Sequence, residues 1–207
     1  MKQDGITLIE LIIVVSIICI LAVALGYQFN GWLVRYQVES QIKKMQADLM
    51  AARQRAMEKN VQYVVQLPAL QGTGYTICED SNGNNICDAP AETTNSPISL
   101  SLSKTGLQFP ITWDVPGGAG GQIVMTQRGI LKTAQGAGAN LSDITNPSPV
   151  PGGFLYAWNI WLLNGTTGAA YGATATNTTN QVDYDCISLS TTRIDLGKYN
   201  GTSCVVK

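Results

Sequence analysis

From residue 6 to residue 25 the chain is apolar at nearly every position: Ile6-Thr-Leu-Ile-Glu10, then Leu11-Ile-Ile-Val-Val-Ser-Ile-Ile-Cys-Ile-Leu-Ala-Val-Ala-Leu25. Such a run has no polar face, which marks a helix with apolar surroundings on every side. A run of about 20 residues is also the length that crosses a bilayer core. Beyond it the pattern changes period rather than stopping. Val34, Val38, Ile42, Met45, Leu49, Ala52 and Ala56 recur at steps of three and four, which predicts a single apolar face over several turns. Arg35, Glu39, Lys43, Lys44, Asp48, Arg53, Arg55 and Glu58 populate the rest. No proline interrupts 6–60, and Asn60 suits a C-terminal stop. The expectation is one helix of about 55 residues, on the order of 80 Å long. Its first half belongs in a membrane or another apolar surrounding and its second half under a globular domain. Gly26 and Gly31 leave room for local bending or melting, since a glycine weakens a helix by about 1 kcal/mol.

After Asn60 the period falls to two. Residues 61–67 and 75–78 read as a first hairpin, and 98–102, 111–115, 122–126 and 130–131 alternate or are β-branched. Pro116-Gly-Gly-Ala-Gly-Gly121 reads as a hairpin loop linking two of these strands. Residues 133–153 and 164–180 are rich in small and turn-forming residues and read as surface excursions. Residues 156–163, 186–190 and 192–196 complete the sheet. The fold class is therefore α+β, a long N-terminal helix packed on a mainly antiparallel sheet domain, 61–207, large enough to bury its own core.

Composition narrows the function by exclusion. Lysine plus arginine number 13 and aspartate plus glutamate 14, a net charge of −1, so there is no strong electrostatic pull toward nucleic acid or acidic lipid. There is no histidine, which removes the commonest general base and a common zinc ligand. A Ser or Cys nucleophile would lack its usual activator, and the glycine runs lack the G-K-[ST] of a phosphate loop. No enzyme and no cofactor is expected. Of the five cysteines, Cys19 lies in the apolar run and reads as a small hydrophobe. Cys78, Cys87, Cys186 and Cys204 form two locally spaced pairs, and two disulfides are expected in an exported domain. Three connectivities are formally open, of which 78–87 and 186–204 are the local ones.

One residue breaks the apolar run. A carboxylate at Glu10 costs roughly 2.5–3.5 kcal/mol on membrane-insertion scales, so it is expected to have a function and a partner. If the chain is cut between Gly5 and Ile6, the new α-amino group can meet Glu10 of a neighbouring subunit. Each group then neutralises the other only on assembly.

This block, Gly5-Ile-Thr-Leu-Ile-Glu10 plus the apolar run, resembles the type III signal of the type IV pilins and type II secretion pseudopilins. The resemblance implies a leader, 1–5, removed by a prepilin peptidase. Gly5 would precede the cut and Ile6 would become the methylated first residue. Glu10 would direct assembly, and 6–25 would span the bacterial inner membrane once before packing in a filament core. The domain would face the periplasm or exterior. Partners implied are sister subunits, the peptidase and an inner-membrane assembly platform. The sequence departs from the family at Ile6, usually Phe or Met, and at Asp4, which offsets the leader's Lys2. The tail from Cys186 to Cys204, with the helix end Ala51-Ala-Arg-Gln-Arg-Ala56, resembles the GspH/FimT branch of minor subunits. Major against minor, pilus against secretion pseudopilus, and a structural subunit against one that binds DNA or a surface, stay open here.

Two further constellations bear on ligands. Asp80, Asn82, Asn84 and Asp88 fall at positions 1, 3, 5 and 9 of a calcium-loop pattern, but the glycine of position 6 is Asn85 and position 12 is Ala91. An Asx-rich turn closed by a 78–87 disulfide accounts for the same residues. Arg193 and Lys198 lie where some FimT-type minor pilins present a basic motif to DNA. Here the segment reads Thr192-Arg-Ile-Asp195 without the Gly-Arg-x-Arg pattern, and Asp195 cancels a charge. Phosphate binding needs accumulated positive charge, which weighs against DNA as a partner.

Overall fold

A computed structural model describes residues 7–68, 71–85, 87, 102–113, 121–135, 142–143, 158–163, 168, 170 and 182–207, with the backbone alone at 24–31, 102–103, 133–135, 142–143 and 158. One helix, α1 (Leu8–Lys59), runs 52 residues without interruption past Gly26 and Gly31. Thr7 opens it in an extended conformation, and Asn60 closes it with φ 55° and ψ 37°. That left-handed conformation is open to asparagine at lower cost than to most residues, which is why the helix stops there.

Among the described residues eleven strands follow: β1 (Gln62–Gln66), β2 (Tyr75–Asp80), β3 (Leu102–Lys104), β4 (Ile111–Trp113), β5 (Gly121–Met125), β6 (Leu131–Gln135), β7 (Ser142–Asp143), β8 (Trp158–Leu162), β9 (Cys186–Leu189), β10 (Ile194–Tyr199) and β11 (Cys204–Val206). They form two antiparallel sheets rather than the single one expected, in the orders β3-β2-β1-β5-β6-β7 and β11-β10-β9-β8-β4. The β1–β2 hairpin forms as expected, with Val64 opposite Cys78. The hairpin expected between 111–115 and 122–126 does not form. Both edges of β5 are taken, by β1 and β6, and β4 instead pairs with β8 in the other sheet. Strand β6 extends into the 133–153 segment and β7 lies within it, where a surface excursion was expected.

Helix α1 packs on β1 and β5 of the first sheet and on β9 and β10 of the second. Its 3.6-residue periodicity decides which face does so. Val38, Ile42, Leu49, Ala52 and Ala56 are fully buried and Met45 nearly so. They meet the inward alternates of the strands, among them Tyr63, Val65, Ile123, Met125, Ile187 and Leu189, in one core. The two alanines on the last turns admit the helix close to the sheets. At the seam between the sheets the Leu131 amide donates to the Thr191 carbonyl at 2.9 Å, and the Ile111 amide to Gly72 at 2.8 Å.

Candidate assembly interface

The amino end of α1 is set by one side chain. Thr7 Oγ1 accepts from the Glu10 amide at 3.4 Å, and the Thr7 carbonyl accepts from the Leu11 amide at 3.2 Å. Thr7-x-x-Glu10 is the spacing of a capping box, and it puts Glu10 in the first turn, where the helix macrodipole favours a negative charge. Helix formation therefore begins two residues after Ile6. Gly5 and Ile6 themselves lie outside the described residues. Glu10 is exposed.

The surface around Glu10 is apolar in all directions. Leu8, at 77% exposure, Ile9, Leu11, Ile12, Ile13 and the residues on to Val23, at 66%, all face away from the domain. A soluble monomer normally tolerates an apolar patch of a few hundred Å²; this sleeve covers the whole circumference over about 24 Å of helix. Cys19 is unpaired and exposed within it. Among the described residues no helix segment is both long and apolar enough to cross a membrane. The described side chains of the run stop at Val23, and in sequence the run continues to Leu25.

Where α1 enters the domain, charged contacts flank the apolar stripe. Arg35 bonds Glu39 at 3.2 Å and also pairs with Asp183. The Asp183 amide donates to Glu39 Oε1 at 3.0 Å, and Lys207 Nζ reaches the Asp183 carboxylate at 3.1 Å. Burial would raise the Glu39 acid, yet the Asp183 amide, Arg35 and Lys43 outweigh it and hold the group below the ordinary carboxylate range. The Lys207 hydrogen bond, with Arg35 behind it, lowers Asp183 likewise. At the other end of the packed region, Lys59 Nζ and the Tyr63 hydroxyl both reach Glu79 Oε2, at 2.8 and 2.9 Å. Glu79 holds the Lys59 ammonium above its usual value, and burial together with the same carboxylate raises the Tyr63 phenol. Between these ends Gln41 bonds both the amide and the carbonyl of Phe109, and the Tyr75 hydroxyl donates to Asp48 at 2.7 Å. Arg35, Glu39, Lys43 and Asp48 read in sequence as part of the polar face, whereas partners so distant in the chain leave no local pattern. The only advance signal was the choice of Arg and Gln, planar side chains that suit backbone groups.

The disulfides are the local ones, Cys78–Cys87 and Cys186–Cys204. Asp80 spends both oxygens on a turn, accepting from the Gly83 amide at 2.6 Å and the Asn85 amide at 2.9 Å, while Asn82 Oδ1 accepts from the Asn84 amide at 2.8 Å. A calcium ion would have to share those oxygens with three amides. Asp88 lies outside the described residues, and among those described no cluster of three or more His, Cys, Asp or Glu side chains is arranged to hold a metal. Arg193 is exposed just before β10 and Lys198 is half-buried near the strand's end. They stand on the order of 16 Å apart at strand rise, with Asp195 between them, so they do not make one basic patch.

No curated protein and no solved structure matches this chain. Residues 1–26, at the start of the apolar helix, fit the family model described as the prokaryotic N-terminal methylation motif, the signature of type IV pilins and pseudopilins.

Proposed function

We propose that this chain is a structural subunit of a type IV pilus or a type II secretion pseudopilus, a minor one of the GspH/FimT kind, anchored by a single membrane pass until it is assembled. The observation that carries the reading is the division of α1. One half is fixed to two sheets by a buried stripe, and the other projects as an apolar sleeve bearing a single carboxylate. Such a sleeve is stable only in lipid or among equivalent helices. Prepilin peptidase would cut after Gly5 and the new Ile6 terminus would be methylated, with the assembly platform then taking up the mature chain.

In the filament Glu10 would face the Ile6 amine of an adjacent subunit. In a low-dielectric core the attraction amounts to several kcal/mol, much of it offsetting desolvation. Its chief effect is registry, because only one stagger between helices brings acid and amine together. The test is Glu10→Ala in the native host, scored by the mass of the processed chain and by its amount in sheared filaments. Processing should persist and incorporation should fall. Normal incorporation overturns the role of Glu10, and a chain recovered with Met1 attached overturns the assembly reading. Filament stoichiometry in the same preparation separates a minor from a major subunit.

A further inference from the structure

The apolar character of α1 outlasts the apolar run. Trp32 and Tyr36 are 63% and 61% exposed, and their rings stack with centroids 6.0 Å apart and 21° between planes. Leu33 beside them is also exposed. We infer that Trp32, backed by Tyr36, sits in the headgroup layer on the domain side of the bilayer and sets the depth at which the unassembled subunit rests. This rests on the single-pass reading above and adds a residue-level anchor to it.

Distance, chemistry and charge agree on that occupant. Trp32 lies seven residues past Leu25, a rise of about 10 Å. The headgroup layer begins where the hydrocarbon ends and is roughly 5–7 Å deep on each side. Helix side chains lean toward the amino end, so the indole reaches back from its Cα into that layer, and Tyr36 covers it from the water side. Tryptophan and tyrosine favour this zone because each carries a large apolar body and one polar group. The neighbouring cations are already engaged, Arg35 by Glu39 and Asp183 and Lys207 by Asp183. The surface is therefore aromatic rather than cationic, and it suits a zwitterionic lipid as well as an acidic one. The rival occupant of the same face is a second copy of the chain.

The experiment reconstitutes the full-length unprocessed chain and its Trp32→Phe variant in phosphatidylcholine vesicles. The lipids carry bromine near the glycerol backbone or near the chain ends. Subtracting the variant's emission isolates Trp32 from Trp113, Trp158 and Trp161. The difference emission should be lost with the shallow bromine, retained with the deep one, and indifferent to salt. Difference emission untouched by either bromine overturns the inference. If it is also shielded from acrylamide, the face is covered by another copy. Protein that floats with the vesicles but shows no quenching of Trp32 overturns this inference alone. Protein that fails to float overturns the single-pass anchor along with it.

Discussion

Arg53 on α1 donates from Nη1 to the carbonyl oxygen of Thr192, 2.6 Å away and 139 residues on in sequence. From Nε the same guanidinium reaches the Gly129 carbonyl at 2.8 Å. Thr192 lies in the turn between β9 and β10, and Gly129 in the turn between β5 and β6. One side chain therefore joins the helix to both sheets at the seam where Leu131 bonds Thr191. Arg53→Ala should lower stability by about 1.5–3 kcal/mol, the range for a hydrogen bond to a charged group. Arg53→Lys keeps the charge but loses the fork, so it should recover at most one of the two bonds. Thermal unfolding of the detergent-solubilised chain checks both, and equal midpoints for wild type and Arg53→Ala would refute the bridging role.

Gly121 is required by its neighbour. A Cβ placed on it would fall 1.1 Å from Cη2 of Trp113. The indole has little room to yield, since it is buried and its Nε1 donates to the Pro68 carbonyl at 3.2 Å. Gly121→Ala should cost about 1–3 kcal/mol by overpacking, with a shift in tryptophan emission. Gly83→Ala serves as the contrast. Its φ is +75° but the space around it is open, so only the left-handed backbone penalty of roughly 1–2 kcal/mol applies and the emission should not move.

Asn60 carries the left-handed turn that ends α1. Asn60→Gly should be neutral or slightly stabilising, whereas Asn60→Val should lose about 1–2 kcal/mol from the same backbone conformation. Equal stability of the glycine and valine variants, measured by thermal melts, would show that the terminus does not depend on this residue.

These sites mark how far the sequence could be read. The buried face of α1 was legible from Val38 to Ala56 because a 3.6-residue period survives any tertiary arrangement, and Asn60 was legible because few residues accept its dihedrals. Both disulfides joined cysteines near in sequence. The division into two sheets was not legible. Ile111 and Trp113 alternate correctly for a strand whichever partner they take, and the choice of β8 over β5 depends on β1 occupying the other edge of β5. Nor was the short strand β11 distinguishable from a tail, with only Cys204, Val205 and Val206 to define it. At the candidate interface Glu10 stood out by its cost in an apolar run. Arg35, Glu39 and Arg53 looked like ordinary helix surface, because their partners at 183, 129 and 192 come together only in the finished fold.

The cluster at the base of the domain should make stability pH-dependent, and the sign follows from the direction of its shifts. Glu39 and Asp183 are both held below their ordinary values, Glu39 against its own burial and Asp183 chiefly by the Lys207 hydrogen bond. A carboxylate more acidic in the folded state than in the unfolded one contributes stability above its unfolded value, near pH 4, and loses it as pH falls through the folded value. Arg35 is shifted upward, first by Glu39, so its contribution is complete throughout the acidic range and does not alter the slope. The thermal midpoint should therefore drop as the pH is lowered from about 5 to 2. Glu39→Gln removes one titrating partner while keeping an acceptor for the Asp183 amide. Its midpoint should start lower at neutral pH and fall less steeply. Parallel acid profiles for the two proteins would mean that the Arg35–Glu39–Asp183 contacts add nothing to the hold of the domain on its helix.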